Sequence, residues 1–300
     1  MLRPDGSWDC QLRLFLSVDI AGSTKYKNSR LDSDDYPPFW KDLFFKLYQE
    51  FHSLLISYIS QARRDHTLAR KIESWKTIGD EIVFSARVAD ETEVYDIISG
   101  FLKALRDYDT EVMGYYPVRI KGSAWTAGFP IRNCIVVPFG NGINDYLGPD
   151  IDIGFRLGKH SMPSRTVVSL DLADILSRER TPGSLNFHHV GWSVLKGVFD
   201  DQPYPVIWIN DGNEGIIPPW DRDEDPFTKK MSEKGSAKTK QGMQELIADI
   251  RRSLRHLRLF PPYFSADDMP CHHKSIVENE MKKSKCPDEP IDIDRPLDLD

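Results

Sequence analysis

Residues Leu12 to Val18 set the strongest constraint on this chain. Leu12, Leu14, Leu16 and Val18 alternate, which is the two-residue period of a β-strand. Phe15 sits among them, so the run is more buried than a strand with one wet face. The strand stops at Asp19, and Ile20-Ala21-Gly22-Ser23-Thr24 follows as a tight turn of small residues. A buried strand that delivers a carboxylate to its end calls for a sheet around it and helices over that sheet.

The rest of the chain supplies both. Asp34 and Asp35 before Pro37 and Pro38 signal a helix start. That helix is predicted to run to about Ser60, with Trp40, Phe44, Leu47, Phe51, Leu54 and Tyr58 near one face. Strands are expected over 69–77 and 81–86, joined by a hairpin turn at Ile78-Gly79-Asp80. Val94, Ile98, Phe101, Leu102 and Leu105 mark a second amphipathic helix. Further strands are expected over 116–126, 135–137 and 165–170, with a pair inside 187–208. Helices are expected over 151–160, just after Pro149, and over 172–177. Strands and helices mix without regular βα units. The predicted class is α+β, with helices on a mostly antiparallel sheet.

Three hundred residues fit one domain and an appendage. The domain is placed at 10–210. A polar linker rich in Gly, Pro and charge is expected over 211–237. Met243, Leu246, Ile247, Ile250, Leu254 and Leu257 then fit an amphipathic helix within 238–262, read as a packing or dimer-contact helix. The tail 263–300 is expected to be disordered.

A net charge of -7 argues against non-specific binding to nucleic acid or a membrane surface. No apolar run approaches the roughly 20 residues that span a bilayer. Cys10, Cys134, Cys271 and Cys286 are too far apart for a disulfide framework, and the N-terminus lacks an apolar signal core. A cytoplasmic, stand-alone enzyme is expected. Cys271-His272-His273 with Cys286 lacks zinc-ligand spacing, because adjacent histidines do not easily share one tetrahedral ion.

Two segments carry chemistry. Asp19 at a strand end can ligate Mg²⁺ or Mn²⁺, which take oxygen ligands and substrate phosphates. The backbone N–H groups of Gly22, Ser23 and Thr24 can meet phosphate oxygens where a helix begins. Alone, Asp-X-X-Gly is often only a turn. The second segment, Lys76-Thr-Ile-Gly-Asp80-Glu, holds Asp80 at a hairpin tip, and alone it is an ordinary Gly-Asp turn. Two such carboxylates converging on one point would build a two-metal site.

Together the segments FLSVDIAGST and WKTIGDEIVF resemble the class III adenylyl/guanylyl cyclase family, whose pattern is D-I-x-G-[FS]-T followed by K-x-x-G-D. IKGSAWTAGF then resembles the family strand IRVGIHTGEV, and Asp145 to Arg156 matches D-I-W-G-N-T-V-N-V-A-S-R without a gap. Lys196-Gly197 matches a late L-K-G hairpin. The resemblance covers about 10–210 and implies a ferredoxin-like, palm-type sheet. It also implies a nucleoside triphosphate substrate and two Mg²⁺ or Mn²⁺ ions on Asp19, Asp80 and the Ile20 carbonyl. Lys76 and Asp145 fall on base-contacting positions, and Asp152 falls where Asn commonly orients the ribose. Arg156 falls on the arginine that stabilises the transition state. A head-to-tail homodimer with composite sites is implied.

Two departures stand out. The basic residue that often follows the IHTG-like strand is replaced by Gly128 or Phe129, and Val198 stands where a lysine can follow L-K-G. The basic residues that meet the triphosphate are therefore not legible.

SAWTAGFP, VDIAGST and IGDEIVF look most like the bacterial anti-phage pyrimidine cyclases of the Pycsar type. That subtype implies cyclic UMP, or else cyclic CMP, as an alarm signal read by a separate effector protein. Tyr48 and Phe44 are candidates for the bulk that fills a purine's second ring; ordinary core aromatics are the competing reading. A purine cyclase and a catalytically inactive nucleotide-binding scaffold are the alternatives. A diguanylate cyclase is disfavoured, because Ile78 replaces the first Gly of its GGDEF signature.

Overall fold

The computed structural model describes residues 10–29, 38–63, 66–137, 144–212, 238–257 and 259–285. Strand β1 (Gln11–Ala21) leads into a short helix α1 (Ser23–Asn28). Helices α2 (Lys41–Arg63) and α3 (His66–Ala69) precede the hairpin of β2 (Glu73–Ile78) and β3 (Glu81–Val88). Helix α4 (Glu91–Met113), strand β4 (Arg119–Phe129), the small strands β5 (Cys134–Val136) and β6 (Asp145–Leu147), and helix α5 (Pro149–Leu157) follow. Then come β7 (Thr166–Val168), α6 (Leu170–Ser177), β8 (Asn186–Val194) and β9 (Pro203–Asn210). Helices α7 (Lys240–Ser253) and α8 (Cys271–Lys285) form the C-terminal appendage.

Seven strands make one sheet in the order β2-β3-β1-β4-β7-β9-β8. Every pairing is antiparallel except β4 with β7. The α+β expectation holds.

Strand β1 is central and buried on both faces, which is what Phe15 in the Leu alternation means. Leu12, Leu14, Leu16 and Val18 face the core built with α2 and α4. Phe15 faces the other way, stacked on Trp125 at 5.5 Å and edge-on to Trp75 at 5.2 Å. Tyr146 of β6 and Ile151 of α5 close this second, aromatic core. Helix α5 packs on it closely, since a Cβ at Gly154 would sit 2.1 Å from the Trp125 ring. Any side chain there would lift α5, and Arg156 with it, off the sheet.

The structure moves several expected boundaries. Residues 66–69 are helical, so the expected strand 69–77 begins only at Glu73. The start signal at Asp34 and Asp35 and the linker over 213–237 lie outside the described residues. The disordered tail expected over 263–300 needs correction, because Cys271–Lys285 is a helix. Its anchors are apolar and aromatic: Met269 and His273 are buried, and His273 meets Phe260 at 4.6 Å and Tyr263 at 5.8 Å. Residues 286–300 lie outside the described residues. Helix α7 docks on α6, where the Arg251 guanidinium meets Asp174 at 2.8 Å and Gln244 donates to the same carboxylate at 2.9 Å.

Candidate functional site

The end of β1 and the tip of the β2–β3 hairpin face one open cleft of about 480 Å³. That is a size typical of small-molecule sites. Asp19, Ile20, Ala21, Gly22, Ser23 and Thr24 line it from the β1–α1 turn. Ile78, Asp80 and Glu81 line it from the hairpin, and Lys121 and Ser161 to Pro163 complete it. The neighbours are brought together by register, because Asp19 pairs with Glu81 on one side and with Lys121 on the other.

The hairpin tip turns at Gly79, whose φ of 65° lies in the left-handed region that glycine enters without strain. The Tyr48 hydroxyl of α2 donates a hydrogen bond to the Gly79 carbonyl, which ties the tip to the helix layer. Tyr48 is not among the residues lining the cleft, and Phe44 is buried in the helix-side core. Tyr48 therefore supports the hairpin tip from behind, and Phe44 is part of the core.

The cleft carries excess negative charge. Burial pushes the Asp19 carboxyl above its ordinary range; Lys121 at 3.0 Å opposes this and Asp80 adds to it. Burial likewise raises Glu81; the Ser17 hydroxyl that donates to it opposes the rise and Asp19 adds to it. Perturbed carboxylates gathered in one cleft are a common feature of functional sites. The donors are all oxygens, which suits Mg²⁺ or Mn²⁺ over softer metals. Among the described residues no three His, Cys, Asp or Glu side chains converge to hold a metal by themselves. An ion here would take Asp19, Asp80 and the Ile20 carbonyl and fill its shell with water and substrate phosphates, as Mg²⁺ commonly does.

The other expected site residues sit elsewhere. Lys76 and Asp145 form an ion pair at 2.7 Å, with the Lys76 ammonium 4.7 Å over the Trp75 ring. Arg156, in the last turn of α5, donates from Nε to the Lys196 carbonyl at 2.7 Å and from Nη1 to the Asp152 carbonyl at 3.1 Å. Its guanidinium is 3.6 Å from the exposed Asp152 carboxylate. The matched 145–156 segment and the 196–197 hairpin thus meet at Arg156. None of these four residues lines the cleft with Asp19 and Asp80. The cleft of one chain therefore holds only part of the expected site.

No protein-family model matches the sequence, and no curated protein matches it. Solved structures do. The adenylyl cyclase CyaB from P. aeruginosa superposes with a TM-score of 0.51 at 12% identity, over 70% of this chain and 98% of that one. The chain has a nucleotidyl cyclase fold. The guanylyl cyclase Cya2 also matches, with a TM-score of 0.47 at 15% identity over 71% of this chain and 96% of that one. A bacterial light-regulated adenylyl cyclase matches with a TM-score of 0.49 at 10% identity, over 80% of this chain and 57% of that one. At these identities the likeness is one of fold. CyaB is covered almost whole, so about three-tenths of this chain lies outside that match. No helix among the described residues is long and apolar enough to cross a membrane.

Within the cyclase fold, sequence reasoning missed Lys121 and Glu81. The available signal was β-sheet register. Once β1 and β4 pair in antiparallel fashion with Asp19 opposite Lys121, the two side chains share a face. Nothing in the local pattern around Lys121 announces it.

Proposed function

We propose that this protein is a metal-dependent nucleotidyl cyclase acting as a head-to-tail homodimer. The 3′-hydroxyl oxygen of a nucleoside triphosphate attacks its own α-phosphorus. The bond to the bridging oxygen breaks, pyrophosphate leaves with the electron pair, and the hydroxyl proton passes to water. The observation that carries this reading is the convergence of Asp19 and Asp80 on one oxygen-lined cleft from separate elements of a cyclase fold.

Asp19, Asp80 and the Ile20 carbonyl would hold Mg²⁺ or Mn²⁺, and the turn N–H groups of Gly22, Ser23 and Thr24 would meet phosphate oxygens. Two bound ions would supply Lewis-acid activation of the hydroxyl and screening of the phosphates. Arg156 of the second copy meets charge that develops in the transition state, and Asp152 orients the ribose. That Lys76, Asp145, Asp152 and Arg156 do not line the cleft of their own chain supports the dimer, because that cleft is incomplete alone.

The favoured substrate is UTP, then CTP, on the resemblance of VDIAGST, IGDEIVF and SAWTAGFP to pyrimidine cyclases of anti-phage defence. The cyclic nucleotide would act as an intracellular alarm for a separate effector. A purine substrate is the second reading. It is favoured by the Lys76–Asp145 pair, a donor and an acceptor held together where purine cyclases read their base.

The test is incubation with Mn²⁺ and each of ATP, GTP, CTP and UTP, with products identified by mass. Cyclic UMP or cyclic CMP supports the full proposal. Cyclic AMP or cyclic GMP keeps the enzyme class and removes the pyrimidine assignment. No cyclic product from any of the four would sink the catalytic reading in favour of a nucleotide-binding scaffold.

A further inference from the structure

The geometry points to Lys121 as a cation with two places: counter-ion to Asp19 in the empty site, and ligand to the triphosphate in the loaded one. This inference rests on the proposed cyclase reading. Three carboxylates line the cleft, namely Asp19, Asp80 and Glu81, and Lys121 is the basic side chain among its described lining residues. Its Nζ lies 3.0 Å from Asp19 Oδ2, with both side chains largely shielded from water. Burial makes this pair stronger than a surface ion pair.

The root of the side chain is fixed. Lys121 is opposite Asp19 in the β1–β4 ladder and bridges to Pro163 on its other side. The four-carbon stem beyond that root is flexible, and its ammonium is a compact charge that can move between partners.

A divalent ion on Asp19 competes with the Lys121 ammonium for the carboxylate's lone pairs. At contact distance in a partly desolvated site, an ammonium and a divalent ion repel strongly. A divalent ion on Asp19 therefore weakens the hold of Asp19 on the Lys121 ammonium and favours its release. The anion that arrives with the ion is the triphosphate, and it enters the same cleft. Lys121 then supplies the basic contact that Gly128, Phe129 and Val198 leave out of the sequence pattern. The same lysine keeps the empty cleft from being an unscreened cluster of carboxylates.

The test compares wild type with Lys121→Met, which keeps the length of the stem, and with Lys121→Arg, which keeps the charge. Binding of Mn²⁺ alone, and of inorganic tripolyphosphate in the presence of Mn²⁺, is followed by electron paramagnetic resonance. In Lys121→Met, Mn²⁺ alone should bind about tenfold more tightly and tripolyphosphate about tenfold more weakly, the scale of one charge-assisted contact. Lys121→Arg should stay near wild type in both. Unchanged or weaker Mn²⁺ binding in Lys121→Met, or unchanged tripolyphosphate binding, overturns the inference. Amine labelling of the wild type, read at Lys121 by mass, tests it without a substitution. Mn²⁺ alone should increase labelling there, and added tripolyphosphate should suppress it; labelling indifferent to both overturns the inference even if the Met variant does not fold. A wild type that binds Mn²⁺ under neither condition removes the cyclase reading itself. Wild-type binding with an indistinguishable Lys121→Met variant removes only the role of Lys121.

Discussion

Two clusters in this chain are built from the same acidic and basic side chains, yet they are put to opposite uses. In the open cleft of about 480 Å³, Asp19, Asp80 and Glu81 face Lys121, the one basic side chain among the described lining residues. Around α6, Asp150, Asp171 and Asp174 meet three arginines. Arg132 lies 2.8 Å from Asp150, Arg251 lies 2.8 Å from Asp174 and 3.5 Å from Asp171, and Arg178 lies 3.4 Å from Asp174. The loop before α8 closes over this second cluster, with Arg178 also donating to the Pro262 carbonyl at 3.0 Å. The cavities left there are only about 20 and 30 Å³, room for roughly a water molecule each.

Charge matching explains the contrast between Asp174 and Asp19. At Asp174 burial alone would raise the carboxyl; Arg251 and Arg178 outweigh it and hold it below its ordinary range. At Asp19 the lone Lys121 does not outweigh burial, and the carboxyl stays raised. A matched, closed cluster holds an appendage in place. An unmatched, open one is what the proposed metal site requires.

The contrast can be broken at either cluster. The largest effect is expected from Asp80→Ala or Asp19→Ala, each lowering turnover by about three orders of magnitude, on the scale of lost transition-state electrostatics. Stability should stay within about 0.5 kcal/mol for Asp80→Ala, since no matched partner is lost there. Steady-state assays beside urea titrations check both, and a folded Asp80→Ala enzyme with normal activity would refute the metal assignment.

Next is Arg156→Ala, which should lower kcat about a hundredfold with little change in KM, because the contact is made in the transition state. An equal mixture of Asp80→Ala and Arg156→Ala chains should recover about a quarter of wild-type activity, from one intact site in each mixed dimer. Mixed dimers that form and stay inactive would show that the two halves do not meet across a dimer.

The third effect is on stability. Asp174→Ala leaves Arg251 and Arg178 facing a buried gap and should cost about 3–5 kcal/mol in chemical denaturation. Activity per folded molecule should hold. A cost near zero would mean that α7 is not held by this cluster.

The smallest effect concerns pH. Burial, with help from Asp150 and against Arg251 and Arg132, pushes the Asp171 carboxyl up to about 6. The folded protein then holds that proton more tightly than the unfolded chain does. The contribution of Asp171 to stability is therefore present at low pH and falls as pH rises from about 4 to about 6. Asp171→Asn should accordingly raise stability more at pH 8 than at pH 5. Thermal melts at the two pH values check the sign, and an equal shift at both would show that Asp171 titrates in its ordinary range.

Local pattern carried much of the fold. The Leu12–Val18 alternation, the α4 stripe and the Gly79-Asp80 turn could be read because strand period, helix period and turn chemistry act over a few residues. The tail was misjudged for the same reason. Its charge is local, but Met269 and His273 find their partners in the Phe260–Tyr263 segment and at Cys10, which is far away in sequence. Tyr48 could be singled out as an aromatic near the site, while its hydrogen bond to Gly79 depends on how α2 lies against the hairpin.

The α+β class, the two aspartates at strand and hairpin ends, and the order of the motifs are legible in the sequence, because they are properties of short windows. Tertiary contacts, not short windows, bring Lys121 opposite Asp19, seat Arg156 on the Lys196 carbonyl, and leave Lys76, Asp145 and Arg156 off the cleft lined by Asp19 and Asp80. Those relations are set by strand register and helix packing between distant segments, and a shift of one residue in the β1–β4 ladder would turn Lys121 to the opposite face.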